Sequence, residues 1–96
     1  SETTSSKDFD ADRNIELYPN PFTNQLQIHY TAAKSEDILL SIKDVHGKTV
    51  DNRYLKAKSG LNNYDWQPVR TLTGGVYFIS IASKEGTFSQ KVLYLK

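Results

Sequence analysis

The residues with chemical reach are few in this sequence, and each falls in a pattern that lacks a needed partner. Asp8, Asp10 and Asp12 give D-x-D-x-D, the opening of a calcium loop. Such a loop needs Gly at its sixth position and Glu at its twelfth. Those places hold Arg13 and Pro19, so the carboxylates read as part of a polar linker. Gly47-Lys48-Thr49 matches the tail of a phosphate-binding loop. Its first glycine would be residue 42, which is Ile42, and no helix follows to present free N–H groups to a phosphate. His29 and His46 are the two histidines, with Asp44 two residues before His46. A nucleophilic triad would also need a positioned Ser or Cys and an oxyanion pocket, and no nucleophile-elbow pattern is present. Two histidines on separate elements make a poor metal site. The sequence therefore predicts no catalytic residue, no metal and no cofactor, and a chain that is not an enzyme. Trp66, Tyr64 and Tyr54 remain as a candidate aromatic platform for sugar rings. The competing reading, preferred here, makes Trp66 and Tyr64 core rings on one strand face.

The elements that would carry these residues are short and extended. Ninety-six residues, with 38% hydrophobic and 11% aromatic content, make one domain with one core and leave no room for a deep cleft between lobes. The absence of cysteine removes any disulfide framework or thiolate cage. A net charge of +1 excludes a strongly basic nucleic-acid binder, and no apolar run approaches the ~20 residues of a membrane-spanning helix. Within that total, Ser1–Asn14 carries a net of −2 and the remainder +3. The first stretch is too poor in apolar residues to offset its ordering entropy, which predicts a flexible linker over residues 1–14 and a folded domain over 15–96. The chain begins at Ser1 without a secretory signal and reads as a piece of something longer.

From Ile15 onward, alternation at period two predicts strands. They fall near Leu26–Tyr30, Ile38–Ile42, Val50–Lys58, Leu61–Trp66, Val76–Ala82 and Thr87–Leu95, with a short one at Ile15–Leu17. Gly47, Gly60 and Gly86 mark turns. The run VYFISIA at Val76–Ala82 is apolar on both faces and reads as central. No ten-residue segment shows a helical stripe. The prediction is an all-β fold, an immunoglobulin-like antiparallel β-sandwich of about seven strands.

One segment is more specific. In Tyr18-Pro19-Asn20-Pro21-Phe22 the two prolines fix φ and cannot donate to a sheet ladder, so the segment belongs at an edge or a lead-in. It either seats Tyr18 or Phe22 on the core or presents a surface that a partner reads. Further blocks follow in order. Leu26 and Ile28 come first, then Ile42 to Val50, which fits I-x-D-x-x-G-K/R-x-V. Gly60-Leu61-Asn62 follows, then Leu72, Gly75, Val76 and Tyr77 in L-x-x-G-x-Y, and a terminal strand with Lys91-Val92. In this order the blocks resemble the type A C-terminal sorting domain of the type IX secretion system of Bacteroidetes, over about Ile15 to Lys96.

That resemblance implies a secretion signal covalently linked to an N-terminal cargo. It is read in the periplasm by the secretion machinery of the outer membrane, and the cargo ends at the cell surface or in the medium. It also implies a sortase that usually removes the domain, by analogy in or near Ser1–Asn14, and joins the cargo to a surface lipopolysaccharide. The recognition residues expected on this basis are Pro19, Asn20, Pro21, Gly75, Tyr77, Gln90, Lys91, Val92 and Leu93. The strand Gln90–Leu93 is expected to offer free edge groups for strand addition by a receptor, with Lys91 supplying charge. The competing reading makes Val92 and Phe88 core residues and Lys91 a solvated one. Edge strands also allow a dimer by pairing or swapping. No nucleic-acid partner and no membrane span are expected. The alternative function is a non-catalytic accessory module of a secreted hydrolase, binding carbohydrate or acting as a spacer, and it requires an exposed aromatic face at Trp66 and Tyr64.

Overall fold

The computed structural model describes residues 15–96, so the linker expected over Ser1–Asn14 and its three aspartates lie outside the described residues. Seven strands follow in order: β1 (Ile15–Tyr18), β2 (Leu26–Ala32), β3 (Glu36–Lys43), β4 (Thr49–Ala57), β5 (Gly60–Trp66), β6 (Gly75–Ser83) and β7 (Gly86–Tyr94). They form a three-stranded sheet ordered β1-β2-β5 and a four-stranded sheet ordered β4-β3-β6-β7. Every pairing between strands is antiparallel. The predicted all-β sandwich is the fold. Among the described residues no helix is long and apolar enough to cross a membrane.

Alternation built the two inner faces. Leu26, Ile28 and Tyr30 on β2, Ile38, Leu40 and Ile42 on β3, and Tyr77, Ile79 and Ile81 on β6 all turn inward and are buried. β4 alternates poorly because it is an edge. Only Ala57 is buried, and Asp51, Arg53 and Lys56 place charge along the edge, which discourages pairing with another chain. β6 pairs on both sides, with β3 and β7, as its apolar run predicts. Its second face is open, however: Val76 is half-buried and Phe78 is exposed.

Two contacts close the sides of the sandwich. On one side the Trp66 indole Nε1 donates to Asp51 Oδ2 at 3.0 Å, joining β5 to β4 across the sheets. Trp66 is 2% exposed and Tyr64 is packed against the core, while Tyr54 projects from β4 at 83% exposure. The three rings therefore form no common platform, and the preferred core reading of Trp66 and Tyr64 holds. On the other side Gln90 Nε2 donates to the Ile15 carbonyl at 2.6 Å. The Val45–Gly47 loop is the short hairpin the sequence predicts. Asp44 N–H donates to the Lys48 carbonyl, and Gly47 takes φ +82°, where a Cβ would be disfavoured.

Candidate recognition surface

The sequence blocks that carry the resemblance are dispersed along the chain, but most converge on one end of the sandwich. The strand registers fix this. Lys43 ends β3 opposite Thr49 at the start of β4 and Phe78 near the start of β6. Gly75 pairs with Tyr94 at the end of β7, and Leu26 pairs with Trp66. The exception is Gly60-Leu61-Asn62, at the far end. There the buried Asn62 amide bridges Lys58 N–H, Lys58 O and Gly60 O, closing the β4–β5 turn.

At the convergent end, the Tyr18–Phe22 segment latches onto the open edge of β7. Asn20 Oδ1 accepts from Leu93 N–H at 3.1 Å and Asn20 Nδ2 donates to the Lys91 carbonyl at 3.4 Å. Phe22 N–H donates to the Leu93 carbonyl at 3.0 Å, and Leu95 N–H donates to the Phe22 carbonyl at 2.9 Å. Both X-Pro bonds, Tyr18-Pro19 and Asn20-Pro21, are cis. The prolines bring no N–H, so the asparagine amide and Phe22 backbone do the pairing. The Phe22 ring is fully buried, stacked on Tyr94 at 5.0 Å and tilted against Trp66 at 6.0 Å. A row of free edge groups over Gln90–Leu93 is therefore not what the strand offers. Its outward groups at Lys91 O and at Leu93 N and O are already occupied. By alternation the outward backbone of Thr87 and Ser89 is the part of that edge without such a latch.

The hairpin block and the Gly-x-Tyr block face each other across a cleft of about 420 Å³, lined by Asp44–Val50 on one side and Thr71–Tyr77 on the other. Asp44 is not a catalytic acid in waiting. Its Oδ1 accepts from Lys48 N–H at 3.0 Å and His46 N–H at 2.9 Å, which ties the loop. Those N–H groups, Lys48 first, hold its carboxyl below the usual aspartate range. The folded state thus favours the carboxylate. Its contribution is present above the unfolded aspartate value and is lost as pH falls through the depressed folded one. Asp44→Asn should flatten the acid limb of a Tm-against-pH profile below about pH 4; an unchanged limb would count against this role.

Tyr77 is 3% exposed, and its hydroxyl donates to the Thr73 carbonyl at 2.6 Å. This is the tyrosine corner of immunoglobulin-like sandwiches, on the sixth of seven strands and pinning the chain a few residues upstream. Tyr77→Phe should lower stability by about 1–3 kcal/mol by orphaning that carbonyl and freeing the loop. Thermal unfolding would read it. Gly74 allows a close approach: a Cβ there would come within 3.2 Å of the Tyr94 carbonyl.

The nine residues expected to form a recognition site thus divide. Asn20 joins Lys91 and Leu93 in direct contact, flanked by exposed Pro19 and Pro21. Gly75 begins β6 beside the end of β7. Gln90 is half-buried and holds Ile15. Tyr77 and Val92 turn into the core. Sequence reading missed the pairing role of the Asn20 amide, although an asparagine between two prolines supplies, on one short side chain, the donor and acceptor that the flanking prolines cannot. It also missed Lys43 beside Phe78, because their pairing depends on sheet order. Among the described residues, no group of three or more His, Asp or Glu is arranged to hold a metal ion.

The model of the family described as secretion system C-terminal sorting domain matches residues 16–94. No curated protein matches the chain. Among solved structures the chain is similar to dimeric latent PorU from Porphyromonas gingivalis, with a TM-score of 0.64 and 18% identity. The overlap covers 84% of this chain and 9% of that one. At this identity the likeness speaks to the fold: the same sandwich forms a small part of a much longer protein.

Proposed function

Because the chain belongs to the secretion system C-terminal sorting domain family, it is a sorting signal for type IX secretion, and we propose that the end of the sandwich where its motif blocks converge is the part the machinery reads. The family match over residues 16–94 carries this reading. A cargo bearing such a signal is exported to the cell surface or secreted. Sorting domains of this kind are typically non-catalytic, and they work by being bound.

The finer steps are proposals. The cargo is linked covalently at the N-terminal side and passes through the periplasm. A sortase then cuts in or near Ser1–Asn14. Exposed Pro19, Asn20, Pro21, Lys91 and Leu93 and half-buried Gly75 contact the machinery, while Tyr77, Gln90 and Val92 hold the strands that present them. Dimerisation through edge strands would use the unlatched start of β7, because charge along β4 discourages pairing there, and sedimentation at rising concentration tests it.

The cleavage proposal is tested by the mass of an exported cargo fused to this chain. A new C-terminus upstream of Ile15 is expected. Exported cargo still carrying the whole sandwich would refute cleavage.

A further inference from the structure

The four-stranded sheet has one face on the core and one face open, and the open face is not uniform. Phe78 stands on it at 37% exposure and Leu93 at 36%. The two cross-strand neighbours of Phe78 are both lysines, Lys43 on β3 and Lys91 on β7. Directly opposed residues hold their Cβ atoms about 4.5–5.5 Å apart, so the ring lies between two ammonium-bearing stems. Neither lysine makes an ion pair among the described residues.

The neighbouring rows add no negative charge. Ser41, Ser80 and Ser89 occupy the row on one side, and Val76 with Leu93 the row on the other. The acids of this sheet point elsewhere. At the far end Asp37 pairs with Lys56 and Glu36 accepts from the Tyr30 hydroxyl, Asp51 bonds Trp66, and Asp44 is held in its turn. The result is an apolar centre flanked by unopposed positive charge, at the same end as the sequence blocks.

Resting on the sorting-signal reading, we infer that the Lys43–Phe78–Lys91 row is a docking surface for an acidic polypeptide segment of the secretion machinery. The two lysines are separated by two strand spacings, about 10 Å. In an extended segment residues i, i+2 and i+4 share one face over about 13 Å, a span the flexible lysine stems can reach, so two carboxylates at i and i+4 can straddle an apolar side chain at i+2 seated by Phe78. Complementary charge steers the encounter and excludes wrong partners, and the exposed ring supplies the desolvated anchor. A second copy is disfavoured as occupant. A two-fold contact through this face would set lysines against lysines, which is like-charge repulsion.

The test fuses the chain to a reporter with an export signal, in a host that has the type IX system. The charge-reversed K43E/K91E and the ring-deleted Phe78→Ser should each reduce exported reporter about tenfold or more. Their Tm values should stay within ~5 °C of the parent, since all three side chains lie on the open face. The control K58E/K84E, on lysines at the opposite end, should export within about twofold of the parent. If K43E/K91E fails to fold, K43Q/K91Q removes the charges without reversing them and should show the same loss. Parent exported and folded charge variants exported equally well would overturn the inference and leave the sorting reading intact. A parent that is itself not exported would overturn both. A parent dimer dissociated by K43E/K91E would assign the face to a second copy. Binding to phosphatidylglycerol but not phosphatidylcholine vesicles, lost in the same variant, would assign it to an anionic membrane. Either result would overturn the acidic-polypeptide partner.

Discussion

Removal of Lys91–Lys96 is expected to abolish cooperative folding of the domain and not merely to blunt its recognition. The deletion takes Val92 and Tyr94, 1% and 6% exposed, out of the core. Full burial of such side chains is worth roughly 1.5–3 kcal/mol each. It also removes every described backbone partner of the latch, so the Phe22 ring loses its stack on Tyr94 and Asn20 loses both its bonds. The outward edge of β6 at Gly75–Phe78 is left unpaired. A domain of this size holds only about 4–12 kcal/mol in total, at ~0.05–0.15 kcal/mol per residue. Near-ultraviolet circular dichroism and a thermal melt would read the loss; a sharp transition surviving in the truncated chain would contradict it. A secretion defect in a strand deletion therefore cannot by itself identify β7 as the contact element.

Phe22→Ala should be the most damaging single substitution in the Tyr18–Phe22 segment. The ring has no exposed surface and touches Tyr94 and Trp66, so its loss leaves a cavity where the two sheets and the latch meet. Truncations of this kind cost about 3–5 kcal/mol. At ~4–8 °C per kcal/mol for a small domain, the midpoint should fall by more than ~12 °C. Asn20→Ala, which removes two exposed bonds but no core volume, should cost far less, about 1 kcal/mol. Comparable losses from the two would mean that the segment is held by its polar pairing and not by the ring.

Local features of this chain were legible in its sequence because local physics makes them. The alternation of Leu26, Ile28 and Tyr30, and of Ile38, Leu40 and Ile42, names the inner faces whatever the sheet order. Gly47 names its own turn. Trp66 was assigned inward correctly because one large ring in a small sandwich has nowhere else to be satisfied. What was not legible depends on distant partners. Nothing in Thr49–Ala57 says that β4 joins β3 and leaves β5 as an edge of the other sheet. The bonds from Asn20 span more than seventy positions to Lys91 and Leu93, so the edge that looked open from Gln90 to Leu93 is latched. VYFISIA looked apolar on both faces, but the structure leaves Phe78 outside, between lysines from two other strands.

The arrangement suits a signal. The motif blocks are drawn together by the same strands whose inward faces hold the core, so a machine that reads this end reads a folded domain. The most direct test of that account compares a well-folded open-face variant with a core variant in the export assay. The measurement is the fraction of reporter outside the cell when residues 1–96 are appended to it, with and without a functional type IX system. The account predicts export that depends on that system, is lost in Phe22→Ala together with the fold, and is lost in K43E/K91E with the fold intact. A parent fusion retained in the periplasm, or exported equally well without the system, would contradict it.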